Sequence, residues 1–333
     1  MKVCVYVEWE RLAKKFGDTG IGNAARNQRL ALERNNIEVV SDPNDDYDIL
    51  DLNPMVFLTA WSTVRKAQKD GKKVVVHVHT TPENFRNSFW FSNLVAPIVD
   101  RRMKSLFQSA DALVCLTEHV KKDVAAMGVK TPAYVVSNCA NVGKYSNGDR
   151  EIYRKKYGLN GVVPFSVGLV IPRKGIATFT AVAAKFPQNR FVWYGSIGKG
   201  LLTSMEARKV VREAPTNVTF TGYVDDIAAA YASGDIFLFP SHNELFSMVI
   251  LEALAAGKPM ILRDLPIYDW IKGGKECLKA RNDKEFCEQL QRLMDDSKLR
   301  SALVSNGNRL LEKYCPENVG KRLKSIYEDV LRK

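Results

Sequence analysis

Near-continuous apolar, β-branched runs recur along the chain. They are KVCVYVE (2–8), IEVV (37–40), DILDL (48–52), KKVVVHVH (72–79), DALVCLT (111–117) and AYVVSN (133–138). A strand with both faces covered reads as such a run, because neither set of alternating side chains meets water. Segments 59–70, 87–109 and 118–127 lie between the runs and carry helical periodicity. The alternation predicts a parallel sheet with helices on both faces.

Around residues 143–152 the sequence turns polar, and a second series begins: PFSVGLV (164–170), RFVWYG (190–195), NVTFTG (217–222), DIFLFP (235–240) and KPMIL (258–262). Two successive α/β series predict two Rossmann-like domains facing a cleft, residues 1–143 and 144–315. The closing segment, 316–333, opens on Pro316, a favoured first helical residue. Its stripe of Val319, Leu323, Ile326, Tyr327 and Leu331 predicts a helix that packs back on the first domain.

Composition narrows the class. A hydrophobic content of 46% over 333 residues is enough for real cores and argues against disorder. No apolar stretch approaches the ~20 residues needed to cross a bilayer. MKVCVYVEWE lacks the pattern of a signal peptide, so the expected location is the cytoplasmic side. The six cysteines are scattered without a CxxC pair, and the four histidines show no zinc-ligand spacing. A net charge of +12 is spread along the chain and suits an anionic partner, whether nucleotide, acidic lipid surface or nucleic acid. No nucleic-acid-binding motif accompanies it, and no obligate protein partner is evident.

Ligands of open α/β sheets bind beyond the carboxyl ends of the strands. Gly20-Ile21-Gly22-Asn23-Ala24-Ala25 matches a dinucleotide fingerprint. That fingerprint needs a tight turn directly after the strand, and here about ten residues intervene, which argues against NAD(P). The two glycines instead let backbone amides approach an anion at a helix start. Asp46-Tyr47-Asp48 invites a metal, but it precedes a strand at the amino end, away from the expected crevice. A turn is the better reading.

The stretch HNELFSMVILEALAAGKP carries Glu244 in a strand–helix loop and Glu252 inside the following helix, with Ser247 as the expected N-cap. Eight helical residues span about 80° of rotation and ~12 Å of rise, so the two carboxylates are no acid/base couple. They suit an extended, polyhydroxylated anion: hydroxyls for the acids, phosphate for the amides and helix dipole. Upstream, GLVIPRKGI sets Arg173 and Lys174 just after a strand end, where two cations can neutralise a leaving pyrophosphate.

Glu244-x7-Glu252 with Phe246 and the trailing ALAAGKP resembles the signature of retaining, nucleotide-sugar-dependent glycosyltransferases of the GT-B fold, glycosyltransferase family four. The resemblance implies that Glu244 binds donor-sugar hydroxyls, Glu252 the ribose, and Arg173 with Lys174 the diphosphate. It implies a donor site of Gly20, Gly22, Arg173, Lys174, Glu244, Phe246, Ser247, Met248 and Glu252. The catalytic groups would be His79, Arg173, Lys174 and Glu244, with His79 ending a strand and reaching the donor sugar. His77 lies on the same face and is a weaker candidate. The Ser137-Asn138 turn departs from the family pattern at Cys139 and Asn141, and Leu245 and Ser247 stand where small residues or glycine are usual.

HTTPENFRNSFWFSNLVAPIVDRRMKSLF and LRDLPIYDW resemble the smaller bacterial-type diacylglycerol glycosyltransferases. The first stretch interleaves aromatics and aliphatics with cations, as an interfacial helix does. Phe85, Arg86, Phe89, Trp90, Phe91, Arg101, Arg102 and Lys104 are its candidate membrane or acceptor contacts, beside apolar Leu94, Val95, Ile98, Met103, Leu106 and Phe107. The expected protein is a UDP-sugar-dependent retaining hexosyltransferase, metal- and cofactor-independent. It would act on a lipid or glycolipid at an anionic membrane surface, peripheral on the inner face of the cell membrane. A soluble saccharide or small-alcohol acceptor, or a sugar-nucleotide epimerase or hydrolase, are the alternatives.

Overall fold

The structure, a computed structural model, describes residues 1–8, 20–54, 59–82, 92–197 and 205–333, with backbone alone at 92–95. The chain divides into two compact units, Met1–Ala140 with Lys313–Lys333, and Asn141–Glu312.

In the first unit β1 (Lys2–Val7), β2 (Glu38–Val40), β3 (Ile49–Asn53), β4 (Lys73–Val78), β5 (Ala112–Cys115) and β6 (Ala133–Val135) make one sheet. Its order is β2-β1-β3-β4-β5-β6, parallel throughout. Every residue of β3 and β5 is buried, which is why those stretches read as unbroken apolar runs apart from Asp51 and Asn53. Helices α1 (Gly20–Glu33), α2 (Ala60–Lys69), α3 (Ser92–Ser109) and α4 (Glu118–Ala126) connect the strands. Fully buried Glu8, directly after β1, accepts from the Thr59 and Ala60 amides at 2.7 and 3.0 Å. A carboxylate thus satisfies the exposed amides and dipole at the start of α2. Asp46 pairs with Lys72 at 2.9 Å, and Asp48 accepts from the Lys2 amide at 2.7 Å, so both acids serve the turn before β3.

The second unit holds α5 (Val142–Ser146), α6 (Arg150–Tyr157), β7 (Pro164–Val167), α7 (Ile176–Lys185), β8 (Phe191–Tyr194), α8 (Met205–Arg212), β9 (Val218–Phe220), α9 (Ile227–Ser233), β10 (Ile236–Phe239), α10 (Met248–Ala255), β11 (Met260–Arg263), β12 (Leu278–Ala280), α11 (Asp283–Asp295) and α12 (Ser297–Leu311). The strands form a second parallel sheet, β12-β11-β10-β7-β8-β9. Read from the other edge this is the 3-2-1-4-5-6 order of a doubly wound fold. The edge strand β12 is not legible in the sequence. Three residues at a sheet edge, with a half-buried Lys279 between buried Leu278 and Ala280, carry too little periodicity to register.

The closing helix, α13 (Pro316–Arg332), belongs to the first unit and packs against α1. Val319, Leu323, Ile326, Tyr327 and Val330 join the core formed by Val3, Val5 and Ile49. Leu331, assigned to that stripe from the sequence, is 40% exposed, and Val330 takes its place. The two helices pass close together at Gly320, where an added Cβ would lie 2.1 Å from the Ala31 carbonyl oxygen. Gly320→Ala is expected to lower stability by about 1–3 kcal/mol, the usual cost of overpacking, measured by urea unfolding. An unchanged midpoint would mean that this contact relaxes freely.

Candidate functional site

The order of the second sheet makes β7 and β10 neighbours whose crossovers run to opposite sides, the switch point beyond whose carboxyl ends sheets of this kind bind their ligands. The loops leaving both strands meet there. After β7, Pro172–Lys174 forms a single 3₁₀ turn that ends on Gly175 in the left-handed region, φ 77°. After β10, the loop runs from Pro240 to the start of α10. The two loops are joined by His242 N–H donating to the Arg173 carbonyl at 2.8 Å and the Arg173 guanidinium donating to the Asn243 carbonyl at 2.7 Å.

Lys174 and Glu244 form an ion pair, with the ammonium also 5.4 Å from the Phe239 ring. The Ser241 hydroxyl donates to Glu244 Oε1 at 2.7 Å. Burial alone would push the Glu244 carboxyl up. The Lys174 and Arg173 charges, with hydrogen bonds from Lys174 and Ser241, outweigh it and hold the carboxyl below its ordinary value. Two cations and an ionised carboxylate thus share one switch point, a donor set for phosphate oxygens and an acceptor for hydroxyls.

Phe246 is buried and stacks on Trp270 at 4.8 Å, so it forms the wall of the β10 loop. Ser247 takes the N-cap position of α10, as the sequence suggests, but its side chain makes no capping bond. Its φ of 68° turns the hydroxyl toward Tyr268, 3.5 Å away. Met248, half-buried, is the first residue of α10. Glu252 lies just over one turn further and is 5% exposed. Burial pushes its carboxyl above the usual range, even though the Tyr231 hydroxyl donates to it at 2.8 Å and Tyr145 also donates. Glu244 and Glu252 therefore have separate partners and opposite pKa shifts.

In the first unit Gly20 and Gly22 sit in the first turn of α1. His79 follows β4, with Nε2 2.7 Å from Asn53 Oδ1. Loss of water and then the neighbouring His77 push His79 down to about 3, so its imidazole is neutral at physiological pH. His77 is buried within β4, its Nε2 3.1 Å from Asp51.

Phe85, Arg86, Phe89, Trp90 and Phe91 lie outside the described residues, as do the side chains of Leu94 and Val95. On α3 the structure separates the remaining positions. Ile98, Arg101 and Arg102 are exposed, Lys104 is half-buried, and Met103, Leu106 and Phe107 are 0% exposed. Those last three are core residues, a correction to the interfacial reading. The apolar spacing that suggested a lipid-facing stripe is the one that packs α3 on its own unit. Sequence reasoning passed over Ser241, Tyr145 and Tyr231, which no motif spacing marks. It also passed over Asn53, although polar Asp51 and Asn53 at alternate positions of ILDLN were a visible signal.

Two doubly wound sheets, one with a basic pair and a carboxylate around its switch point, define an α/β enzyme for a phosphate-bearing ligand. Sequence models for "Glycosyltransferase Family 4" and "Glycosyl transferases group 1" match residues 20–144 and 162–296. The chain is 33% identical over 340 residues to the processive diacylglycerol alpha-glucosyltransferase of Acholeplasma laidlawii, covering 100% of this chain and 99% of that one. It is 28% identical to the alpha-galactosylglucosyldiacylglycerol synthase of Streptococcus pneumoniae, over 92% of this chain and 81% of the relative. Among solved structures, sucrose-phosphate synthase from Thermosynechococcus elongatus superposes with a TM-score of 0.80 at 16% identity, covering 100% and 99% of the two chains. Anabaena HepE, crystallised with UDP and glucose, gives 0.76 at 15% identity, covering 98% and 99%. The chain belongs to glycosyltransferase family 4, a family of retaining hexosyltransferases, and has the GT-B fold.

Proposed function

We propose that the protein moves glucose or galactose from a UDP-sugar to a hydroxyl of a diacylglycerol-type lipid or glycolipid, with retention of configuration and without a metal ion. Arg173 and Lys174 hold the diphosphate and stabilise its charge as it leaves. Glu244 accepts hydroxyls of the hexose, Glu252 faces the ribose, and His79 contacts the transferred sugar. Gly20 and Gly22 bring amides toward the donor, and Phe246, Ser247 and Met248 line its site. The observation that carries this reading is the Arg173–Lys174–Glu244 arrangement at the β7/β10 switch point, in a chain that aligns end to end with a diacylglycerol glucosyltransferase.

The test offers purified protein UDP-glucose, UDP-galactose or UDP-N-acetylglucosamine, with and without vesicles of diacylglycerol or monoglycosyl-diacylglycerol, and follows UDP release. Release that requires one donor and a lipid, and persists in EDTA, is the expected result. Release without acceptor indicates a hydrolase or epimerase. Release only with a soluble saccharide or alcohol overturns the lipid acceptor, and loss in EDTA restored by Mg²⁺ overturns the metal-free reading.

The same reading puts the protein on the inner face of the cell membrane as a peripheral protein. No helix among the described residues is long and apolar enough to cross a membrane. The net charge of +12 and the exposed Ile98, Arg101 and Arg102 of α3 suit an anionic surface. Each cation near such a surface contributes about 1 kcal/mol, so Arg101→Glu/Arg102→Glu is expected to weaken co-sedimentation with anionic vesicles about tenfold or more at low salt. Equal binding by variant and wild type would remove α3 from the contact.

A further inference from the structure

The sheet of the first unit buries a set of polar side chains that family membership alone does not explain. Asp51 and Asn53 occupy alternate positions of β3, share one face of the strand, and are both 0% exposed. Gln28 from α1, His77 from β4 and Tyr327 from α13 close over them. The Tyr327 hydroxyl donates to Asp51 Oδ2, and His77 Nε2 lies 3.1 Å from the same oxygen. Gln28 donates to the Tyr327 oxygen at 3.4 Å and accepts from Asn53 Nδ2 at 3.2 Å. Asn53 Nδ2 also lies 3.5 Å from Asp51 Oδ1, while Asn53 Oδ1 faces His79 Nε2 at 2.7 Å.

These contacts have a direction. A carboxylate accepts and does not donate. The Tyr327 hydroxyl keeps its proton, because burial and then the Asp51 charge push its pKa well up. A hydroxyl that gives its proton to Asp51 can only accept from Gln28, so the Gln28 NH₂, also 3.1 Å from His77 Nε2, faces Tyr327 and its carbonyl faces Asn53. With that carbonyl and Asp51 both accepting, Asn53 turns its NH₂ toward them. Flipping the amide would set its oxygen against two other oxygens. Its carbonyl is thereby committed to His79, and a carbonyl at 2.7 Å requires a proton on Nε2. A neutral imidazole protonated at Nε2 carries its lone pair on Nδ1. A buried carboxylate served by donors from several elements is costly to assemble, and an apolar cluster of the same volume would hold α13 equally well.

We propose that Asp51, Asn53 and Tyr327 are positioning residues for His79: the buried carboxylate orients the Asn53 amide, and the amide holds His79 in the Nε2–H tautomer, leaving Nδ1 to accept a hydroxyl of the transferred sugar. This deepens, and rests on, the reading that His79 contacts that sugar. The tautomer itself is a property of the first unit alone. It can be tested without turnover.

The experiment is ¹⁵N NMR of the full chain with labelled histidine, which distinguishes protonated from unprotonated ring nitrogens, on wild type, Asn53→Ala and Tyr327→Phe. Wild-type His79 is expected to show a proton on Nε2 and none on Nδ1, and both variants a mixture of tautomers. With the donor and acceptor found by the release assay, Asn53→Ala is expected to lower kcat about tenfold, with KM for the donor nearly unchanged. In a His79→Ala background the same substitution should cost nothing further, because its effect passes through the ring. A single unchanged tautomer in all three proteins overturns the proposal, as do equal losses in both backgrounds. The network would then be a clamp for α13. Full activity of His79→Ala overturns the sugar contact instead, a failure that the NMR result keeps separate. Should Tyr327→Phe not fold, Asn53→Ala and Asn53→Ser decide the question.

Discussion

Lys174→Ala is expected to lower turnover by about a hundred- to a thousandfold, the loss typical when a donor placed on developing negative charge is removed. The ammonium has three donors, so in the proposed role it can keep Glu244 and still serve a phosphate oxygen of the departing diphosphate. Without it, Arg173 alone remains in the β7 loop. Stability should fall much less. A fully buried pair that loses one partner costs about 3–5 kcal/mol, and here Ser241 and Arg173 still attend the carboxylate. The pH dependence supplies an independent check. A carboxyl depressed in the folded state contributes stability that is complete above its unfolded value and is lost as pH falls through the lower folded value. Removing Lys174 shrinks that contribution, so urea midpoints of variant and wild type should differ at pH 7 and converge as pH falls below the ordinary carboxylate range. Near-normal turnover would end the proposed diphosphate role of Lys174, whatever the stability shows.

Gly175→Ala is the largest expected change in stability. Its φ of +77° adds about 1–2 kcal/mol for any residue with a Cβ. That Cβ would lie 2.1 Å from the Pro240 carbonyl oxygen, which adds the cost of overpacking, about 1–3 kcal/mol. A total of roughly 2–5 kcal/mol should appear as a lower urea midpoint with unchanged slope. Gly158→Ala is the control: φ is +60°, but nothing lies within 4 Å of the added carbon, so only the conformational part remains. Equal losses at the two positions would show that the approach of the β7 loop to the end of β10 is unimportant. That approach is also what brings Arg173 to the Asn243 carbonyl, so Gly175→Ala should slow turnover as well as weaken the fold.

The two-sheet architecture was legible because buried parallel strands leave long apolar runs, and β1, β4, β5, β7 and β10 all lie within such runs. Strand order was not, since it depends on the direction of each crossover rather than on any one segment. Only the observed order shows that the loops carrying Lys174 and Glu244 flank one switch point. Ser247 illustrates a different limit. Serine before an apolar helical run reads as an N-cap, yet the loop turns it to φ 68° and its side chain makes no cap. On α3 the pattern was ambiguous in principle: Met103, Leu106 and Phe107 repeat at helical spacing whether the face meets lipid or its own core. In α13, at about 100° of rotation per residue, Val330 falls in the middle of the Val319, Leu323, Ile326 and Tyr327 stripe and Leu331 beyond its edge, so strict periodicity already favoured the residue that is buried. Asp51 and Asn53 stood in plain view, but polar residues in a buried strand announce only that partners exist, not where on the chain they are.

The return of α13 to the first unit has a consequence for biosynthesis. Residues 141–312 form a unit that is continuous in sequence, and it emerges from the ribosome whole. The first unit does not: its core waits for Val319, Leu323 and Tyr327, and Asp51 waits for the Tyr327 hydroxyl. At about 5–20 residues per second, that delay is roughly ten to forty seconds after Ala140 has been made. Throughout that interval the α1 face of the first sheet lacks its cover, while the unit encoded later is already able to close. The half of the molecule translated first is thus the last to be finished, and a nascent chain stalled before α13 would present a folded second unit beside an open core that chaperones or proteases can engage.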